Sequence, residues 1–465
     1  MAKRNRLRSS ASSGMRKNIG KKIGIFLGVV VLAALVVGGL ILFEFESPQV
    51  TLERDINYLG SKSTLPVTAV DRKSGLRSIS ISLRQKDVEQ ELFRKEFPRQ
   101  AWFSQAGPRE FRETVVLDLD RKGFRDGEAE LTVEVRDFSL NGMFAGNGYF
   151  KRLVVNIDTK PPKITLEHAQ RYIRPGGSGM VLYRLGEEVE RHGVMIDDTF
   201  FPGYPVAEEQ HLFIAYLALP WDSGPPENTR IIAVDRAGNQ AKAIFSMKYK
   251  KTRFKQDRIN ITDGFLKRKM PEFEEHYPDL QGSLLEKYLV VNNKIRKENA
   301  ETIAKLCANP LAEQLWNDRF LRMAGASRAG FADQRTYYYK GKAIDRQTHL
   351  GMDIASTARV AIKAANRGKV IFADYLGIYG NTVILDHGQG IFSLYSHLSR
   401  IDTTPGTTVE KGEVIARSGA TGMAGGDHLH FSMLVHGIFV TPVEWWDQHW
   451  IDVNISSIVN DVALR

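Results

Sequence analysis

Apolar and polar positions follow different rules in successive parts of the chain. From Ile23 to Phe43 the residues are uncharged and almost wholly apolar. A helix of that length rises about 31 Å, enough for a hydrocarbon core of about 30 Å. From residue 48 to 158 the pattern breaks into short runs of strand length: SISISL (Ser78 to Leu83), TVVLDL (Thr114 to Leu119), AELTVEV (Ala129 to Val135) and RLVVNI (Arg152 to Ile157). Gly, Asp and Asn fall between them, which predicts a β module. Asp158-Thr159-Lys160-Pro161-Pro162 then reads as a stiff junction, because neither proline donates a ladder hydrogen bond. A second β segment is expected over 159–250, with GMVLYRL (Gly179 to Leu185), HLFIAYLAL (His211 to Leu219), TRIIAVDRAGN (Thr229 to Asn239) and KAIFSMKY (Lys242 to Tyr249).

Over 251–334 the period lengthens. Leu284, Leu285, Tyr288, Leu289, Asn292 and Ile295 share one face of a 3.6-residue helix. Ile303, Leu306 and Cys307 make a second set closed by Pro310, and Leu315, Trp316 and Phe320 a third. The plain reading is a helical connector. A sharper one has this segment, or the run Tyr337-Tyr338-Tyr339, covering or shaping a groove in the C-terminal part of the chain. Residues 335–443 return to short β runs with glycine at nearly every junction, and 444–465 form an aromatic tail expected to pack. No strand–helix alternation appears, so the fold class is mainly β, and a doubly wound α/β reading is poor.

The two β segments carry a faint echo of each other. TAVDRKSGLRSISISL from Thr68 and IAVDRAGNQAKAIFSM from Ile232 each place a strand ending in Val-Asp-Arg before a Gly-containing turn and another strand. This resembles the repeated Ig-like modules of bacterial surface proteins, and the resemblance implies two Ig-like modules over 48–158 and 159–250.

Charge refines the picture at the N-terminus. The net charge is +10, but residues 1–22 supply eight of those charges and no acid, leaving +2 for the rest. That distribution gives no global electrostatic case for a nucleic-acid partner. A basic tail before an apolar span places residues 1–22 in the cytoplasm, makes 23–43 a transmembrane helix, and sends the remainder across the membrane. The rival is a cleaved signal peptide, which the long apolar run and the lack of a small-x-small site before Glu44 argue against. The sole cysteine, Cys307, excludes an internal disulfide and a cysteine-rich metal site, and reads as a small core residue.

Seven of the eleven histidines lie between His349 and His449. If His349-Leu-Gly-Met-Asp353 is extended, residues 349, 351 and 353 point to one face, with imidazole and carboxylate either side of a residue lacking a side chain. His428-Leu-His430 sets two imidazoles on one strand face by the same period. Two histidines and an aspartate are three ligands, and a catalytic zinc needs three and an open fourth position. The metalloprotease signature HExxH is absent.

These motifs carry a resemblance. RxYYYKGKxxxRxTHLGMD, then YGNTVILDHGxGIFSLYSHLS, then GATGMAGGDHLHF are similar to the LytM-type zinc metallopeptidases of the lysostaphin class, peptidase family M23. The resemblance covers roughly 335–443 and implies a compact antiparallel β domain that cuts peptide bonds in peptidoglycan with one catalytic Zn²⁺. It puts His349, Asp353 and His430 on the zinc ligands, and His397 and His428 on the two catalytic histidines that do not bind metal. Asn381, in the glycine-and-asparagine hairpin near the groove, becomes a substrate-contact candidate. His387 falls where the family tends to have a histidine without a ligand role. Asp427 stands where relatives often have proline, either bonding a histidine or only shaping the turn. Ser432 takes the place of a frequent glutamate.

The expected protein is therefore a single-pass protein of the inner membrane with its C-terminal region in the periplasm. It would be a zinc endopeptidase acting on stem peptides or cross-links, with peptidoglycan and a periplasmic regulatory protein as partners. The alternative is a degenerate module that activates a cell-wall amidase.

Overall fold

The computed structural model describes residues 13–42, 45–52, 56–101, 106–120, 122–141, 145–206 and 209–464. Strands dominate, as the short alternating runs predict. The helix Ser13–Leu42 contains one segment, Lys21–Gly39, long and apolar enough to cross a membrane, and none of that segment is buried in the protein. The first twelve residues of the basic tail and Phe43 of the expected span lie outside the described residues. Two compact units emerge from the packing: residues 1–161 with 236–239, and residues 162–235 with 240–465.

In the first unit, alternation produces two sheets around one core. One sheet has the order Gln49–Leu52, Lys62–Val70, Glu110–Asp118. The other runs Tyr58–Leu59, Gly148–Ile157, Gly127–Asp137, Leu76–Gln85, Val88–Glu96. In SISISL the isoleucines and Leu83 are fully buried and meet Leu131, Val133 and Val135 of the next strand, with Leu65 and Val67 from the other sheet. The period of two decides which face is wet.

The second unit begins with two four-stranded sheets. Their orders are Tyr204–Pro205, Leu212–Ala218, Ser178–Leu185, Ile164–Ala169, and Thr199–Pro202, Arg191–Ile196, Thr229–Val234, Gln240–Ile244. Ser178–Leu185 and Leu212–Ala218 are buried along almost their whole length rather than alternately. Both of their faces are covered, because this segment shares a hydrophobic core with the C-terminal domain. Tyr216 lies 6.1 Å from Trp316 and 6.3 Å from Trp445 between ring centroids.

The stretch after Tyr249 is not helical throughout. Gln256–Ile261 is a strand, paired in parallel with Asp333–Tyr339. Helix Asp263–His276 starts at the N-cap Thr262, and helix Leu284–Val290 starts with a capping box between Ser283 and Glu286. A π turn, Val291–Ile295, leads into helix Arg296–Leu306. The expected face is the buried one: Tyr288, Asn292, Ile295 and Ile303 are nearly inaccessible. The third helical set does not form. Residues around Leu315, Trp316 and Phe320 are irregular, because Trp316 and Phe320 plug the core beside Trp445. Cys307 is buried, and that burial pushes its thiol up.

The C-terminal domain is built on a ten-stranded sheet. Its main path is Ala326–Ala329, Met352–Ala355, Leu429–Val435, Ile391–Ile401, Asn381–Asp386, Gly368–Tyr375, Thr408–Val409, antiparallel at each pairing. Strand Asp333–Tyr339 pairs with Lys342–His349 in a separate three-stranded sheet that includes Gln256–Ile261. The aromatic tail packs as expected: Trp445 is fully buried, and its indole N–H donates to Ser178 Oγ at 3.0 Å.

Candidate metal centre

Sheet register assembles the site. Asp353 sits directly opposite His430 on the neighbouring strand, and His430 opposite Ser396 on the next. His349 ends its strand two residues before Gly351, where the chain must pass close to His430. A Cβ on Gly351 would lie 2.5 Å from His430 Nε2 and 2.6 Å from Ser432 Oγ, so the absent side chain is required there.

The result is a tight triangle. His349 Nε2 lies 2.9 Å from Asp353 Oδ1 and 3.0 Å from His430 Nδ1, and His430 Nδ1 is 3.0 Å from Asp353 Oδ1. Proton positions are set by the far side of each ring. His349 Nδ1 lies 2.8 Å from the carbonyl oxygen of Gly330, which can only accept, so the ring proton is there. Ser432 Oγ donates to the Leu350 carbonyl at 2.8 Å, leaving it to accept from His430 Nε2–H at 3.1 Å. Both rings therefore turn lone pairs toward the Asp353 oxygen. Burial pushes His430 down to about 4, which keeps that ring neutral near pH 7. Burial works against ionisation of Asp353, yet its carboxyl is held well below its usual range, and Arg335 donates to its outer oxygen at 3.0 Å. Three electron-rich atoms about 3 Å apart, with no proton among them, are a donor set that a cation satisfies. A tetrahedral ion with bonds of about 2.0 Å separates its ligands by roughly 3.3 Å, so a zinc-sized ion fits with a small adjustment.

Two more histidines face the same cavity. His397 sits at a bulge, where Ser396 and His397 together oppose Thr382, and its φ is +61°. A bulge re-aims the side chain beside it. Regular alternation would put Tyr395 and His397 on one face, and the bulge separates them. Tyr395 enters the core with its hydroxyl accepting from Ala365 N at 2.7 Å, while His397 lines the cavity. His397 Nδ1–H donates to the Thr421 carbonyl at 2.8 Å, and His428 Nδ1–H to the Gly426 carbonyl at 2.8 Å. Each ring is left with Nε2 for chemistry. The two ring centroids are 4.8 Å apart, and His428 Nε2 is 3.5 Å from Asp353 Oδ1. Burial, then the neighbouring His428 and His430, holds His397 well below its ordinary value. Burial also acts to lower His428, but its contacts with Asp353 and Gly426 leave it raised.

The cavity, of about 320 Å³, has a second wall from the connector: Ile259, Ile261, Phe265, Tyr288, Asn292 and Arg296 line it opposite the histidines. Helix Asp263–His276 holds the loop before His428, since Glu272 Oε1 accepts from Gly422 N at 2.5 Å and Lys269 donates to the Ala420 carbonyl. Tyr337 of the tyrosine run also lines the cavity.

Other candidates are placed differently. Asn381 donates from Nδ2 to the Leu398 carbonyl at 3.1 Å and does not line this cavity. Asp427 accepts from Ser418 Oγ and from Arg359 N, so it shapes the turn and bonds no histidine. His387 is fully buried between the Arg367 carbonyl and Ser393 Oγ. Two residues of the site had no role assigned from sequence. Arg335, the first residue of the quoted motif, donates to Asp353 Oδ2 at 3.0 Å. Ser432, two positions beyond His430 on its strand, fixes that ring, and the period of two was the signal available.

Comparison with known proteins agrees with this arrangement. Residues 347–442 match Peptidase family M23. The DD-carboxypeptidase/endopeptidase Mpg of Neisseria meningitidis serogroup B is 38% identical over 95 residues, which are 20% of this chain and 22% of that protein. The peptidoglycan DD-endopeptidase ShyB of Vibrio cholerae serotype O1 is 33% identical over 107 residues, 23% of this chain and 24% of the relative. The murein hydrolase activator EnvC of Escherichia coli strain K12 is 36% identical over 95 residues, 20% and 23% respectively. The chain thus spans under a quarter of the length of these relatives. It carries an M23 peptidase domain at its C-terminus.

Proposed function

We propose that the protein is a zinc-dependent endopeptidase that hydrolyses peptide bonds of peptidoglycan stem peptides or cross-links. The observation that carries this reading is the convergence of His349 Nε2, His430 Nδ1 and Asp353 Oδ1 within 3.0 Å of one another, beside two further histidines. His349, Asp353 and His430 would hold the metal, and His397 and His428 would be the catalytic histidines. Zinc bound there supplies a Lewis acid for the scissile carbonyl and a water acidic enough to ionise near neutral pH. His397 and His428 would take up and release protons at Nε2, because each Nδ1–H is fixed on a backbone carbonyl. Arg335 and Ser432 keep Asp353 and His430 in place. The apolar side chains of Ile259, Ile261 and Phe265 on the connector would keep water from one side of the reacting bond.

The span 23–43 anchors the chain in the cytoplasmic membrane, with the basic tail inside and the enzyme in the periplasm. Tethering holds it at high local concentration near a two-dimensional polymer. The test is to incubate the purified full chain with sacculi, with and without chelator, and weigh the released fragments. New peptide termini, lost on chelation and in His430→Ala, support the enzyme.

The likeness to a murein hydrolase activator supports a second reading, in which the domain stimulates a wall amidase. The five histidine and aspartate side chains assembled at the cavity favour hydrolysis. Fragments that appear only when an amidase is added would reverse that preference.

A further inference from the structure

Beside the metal cavity lies a larger cleft of about 790 Å³, and Arg296, Arg335 and Tyr379 line both, so the two are adjacent. Its charged lining is of one sign: Arg296, Lys297, Arg335 and Arg346, with no Asp or Glu. Two of the four, Arg296 and Lys297, come from the connector helix, and the other two from the hairpin that carries His349.

These cations are not used up by the protein. Among the described residues no carboxylate pairs with Arg296, Lys297 or Arg346. Asp345, next to Arg346, is already taken by the amides of Asn292, Asn293 and Gln347, and Glu298, next to Lys297, lies 3.9 Å from Lys294. Arg296 is instead held by a neutral partner: its Nε and one Nη donate to Asn292 at 3.1 and 2.6 Å, and the residue lines the cleft. Arg335 spends one Nη on Asp353, and its buried Nε has no hydrogen-bond partner. A buried guanidinium N–H without an acceptor, beside a cationic cleft, is donor capacity that an anion or a water satisfies.

We propose that this cleft binds a free carboxylate of the substrate peptide, with connector and hairpin jointly selecting peptides that carry one beside the bond to be cut. Planar guanidinium groups match a carboxylate bidentately, and charge-assisted hydrogen bonds of this kind are about twice as strong as neutral ones. The connector is then part of substrate recognition as well as a wall. This inference rests on the peptidase reading above, and the experiment separates the two.

Binding is measured by calorimetry on the full chain in detergent carrying His397→Ala, so that turnover does not intervene. The probes are a purified cross-linked stem-peptide dimer, the same dimer with its carboxylates converted to amides, and inorganic phosphate. The free acid is expected to bind at least tenfold more tightly than the amide and not to be displaced by equimolar phosphate. Lys297→Ala combined with Arg346→Ala, two exposed positions, removes that preference while the circular dichroism is unchanged. Equal binding of acid and amide, phosphate displacing the peptide, or a preference that survives in the double variant would each overturn the proposal. Cleavage by the wild-type chain is scored separately, so a failed hydrolysis with intact acid preference rejects the enzyme and not the cleft.

Discussion

Arg335 grips one oxygen of Asp353 and leaves the other to the histidines. Its Nη donates to Oδ2 at 3.0 Å, while Oδ1 lies 2.9 Å from His349 Nε2 and 3.0 Å from His430 Nδ1. The guanidinium thereby fixes the carboxylate's rotation, which an unpaired aspartate would be free to change. Arg335→Ala is expected to weaken zinc affinity by about 10–100-fold, the usual loss for residues that orient a ligand. Competition against a fluorescent chelator measures it, and unchanged affinity would remove Arg335 from the site.

Gly351 makes a second, steric prediction. Gly351→Ala drives a methyl group to 2.5 Å from His430 Nε2, and Gly351 is hemmed in by Ser432 as well. Relief requires the His430 ring to move, so both the ring's bond to Ser432 and its aim at Asp353 are lost. Overpacking of this kind costs about 1–3 kcal/mol. Thermal unfolding should show that destabilisation together with reduced zinc content, and a variant with wild-type metal and stability would contradict the packing described.

Glu444 ties the second β segment to the peptidase domain. Its buried carboxylate accepts from Ser178 N at 2.8 Å and from Arg174 Nε at 3.1 Å. Burial raises its pKa. Glu444→Ala leaves a buried backbone N–H without a partner, at a cost of about 1–3 kcal/mol. Chemical denaturation of the full chain should register that loss, and a neutral result would mean the joint is held by the Trp445 cluster alone.

His387 predicts a pH dependence. Burial pushes this ring down to about 4, against about 6.5 in an unfolded chain. Between those values the unfolded state binds more protons, so stability falls as pH falls. Above about pH 6.5 both states are neutral and the effect vanishes. The stability difference between wild type and His387→Asn should therefore shrink on going from pH 7 to pH 4.5, by up to roughly 3 kcal/mol. A difference independent of pH would show that the ring is charged or accessible in the folded protein.

How legible this was in the sequence depended on distance along the chain. The pair in HLH is separated by two residues, and strand period sets both rings toward the cavity; His349 and Asp353 are close in sequence, but they meet where the chain leaves one sheet at His349 and enters another at Met352. The core alternation of SISISL was legible for the same reason. Arg335 was within sight in the motif, but its role arises only from the pairing of Asp333 with His349, which brings the hairpin over Asp353. The position of His397 rests on a bulge, which a period-two argument cannot contain. The strand Gln256–Ile261 was missed because QDRINI is short and mixed in character, and its pairing partner lies beyond three helices. Trp316 and Phe320 imitate a helical spacing while serving the core from irregular backbone. Local chemistry was readable, and long-range register was not.

The most direct test of the central claim is the zinc content of the purified full chain, measured by elemental mass spectrometry after extensive dialysis. One zinc per wild-type chain, falling below about a tenth in His349→Ala with its fold intact by circular dichroism, is the expected result. Wild-type chain without bound zinc even after incubation with the ion, or zinc retained in full by His349→Ala, would contradict the account.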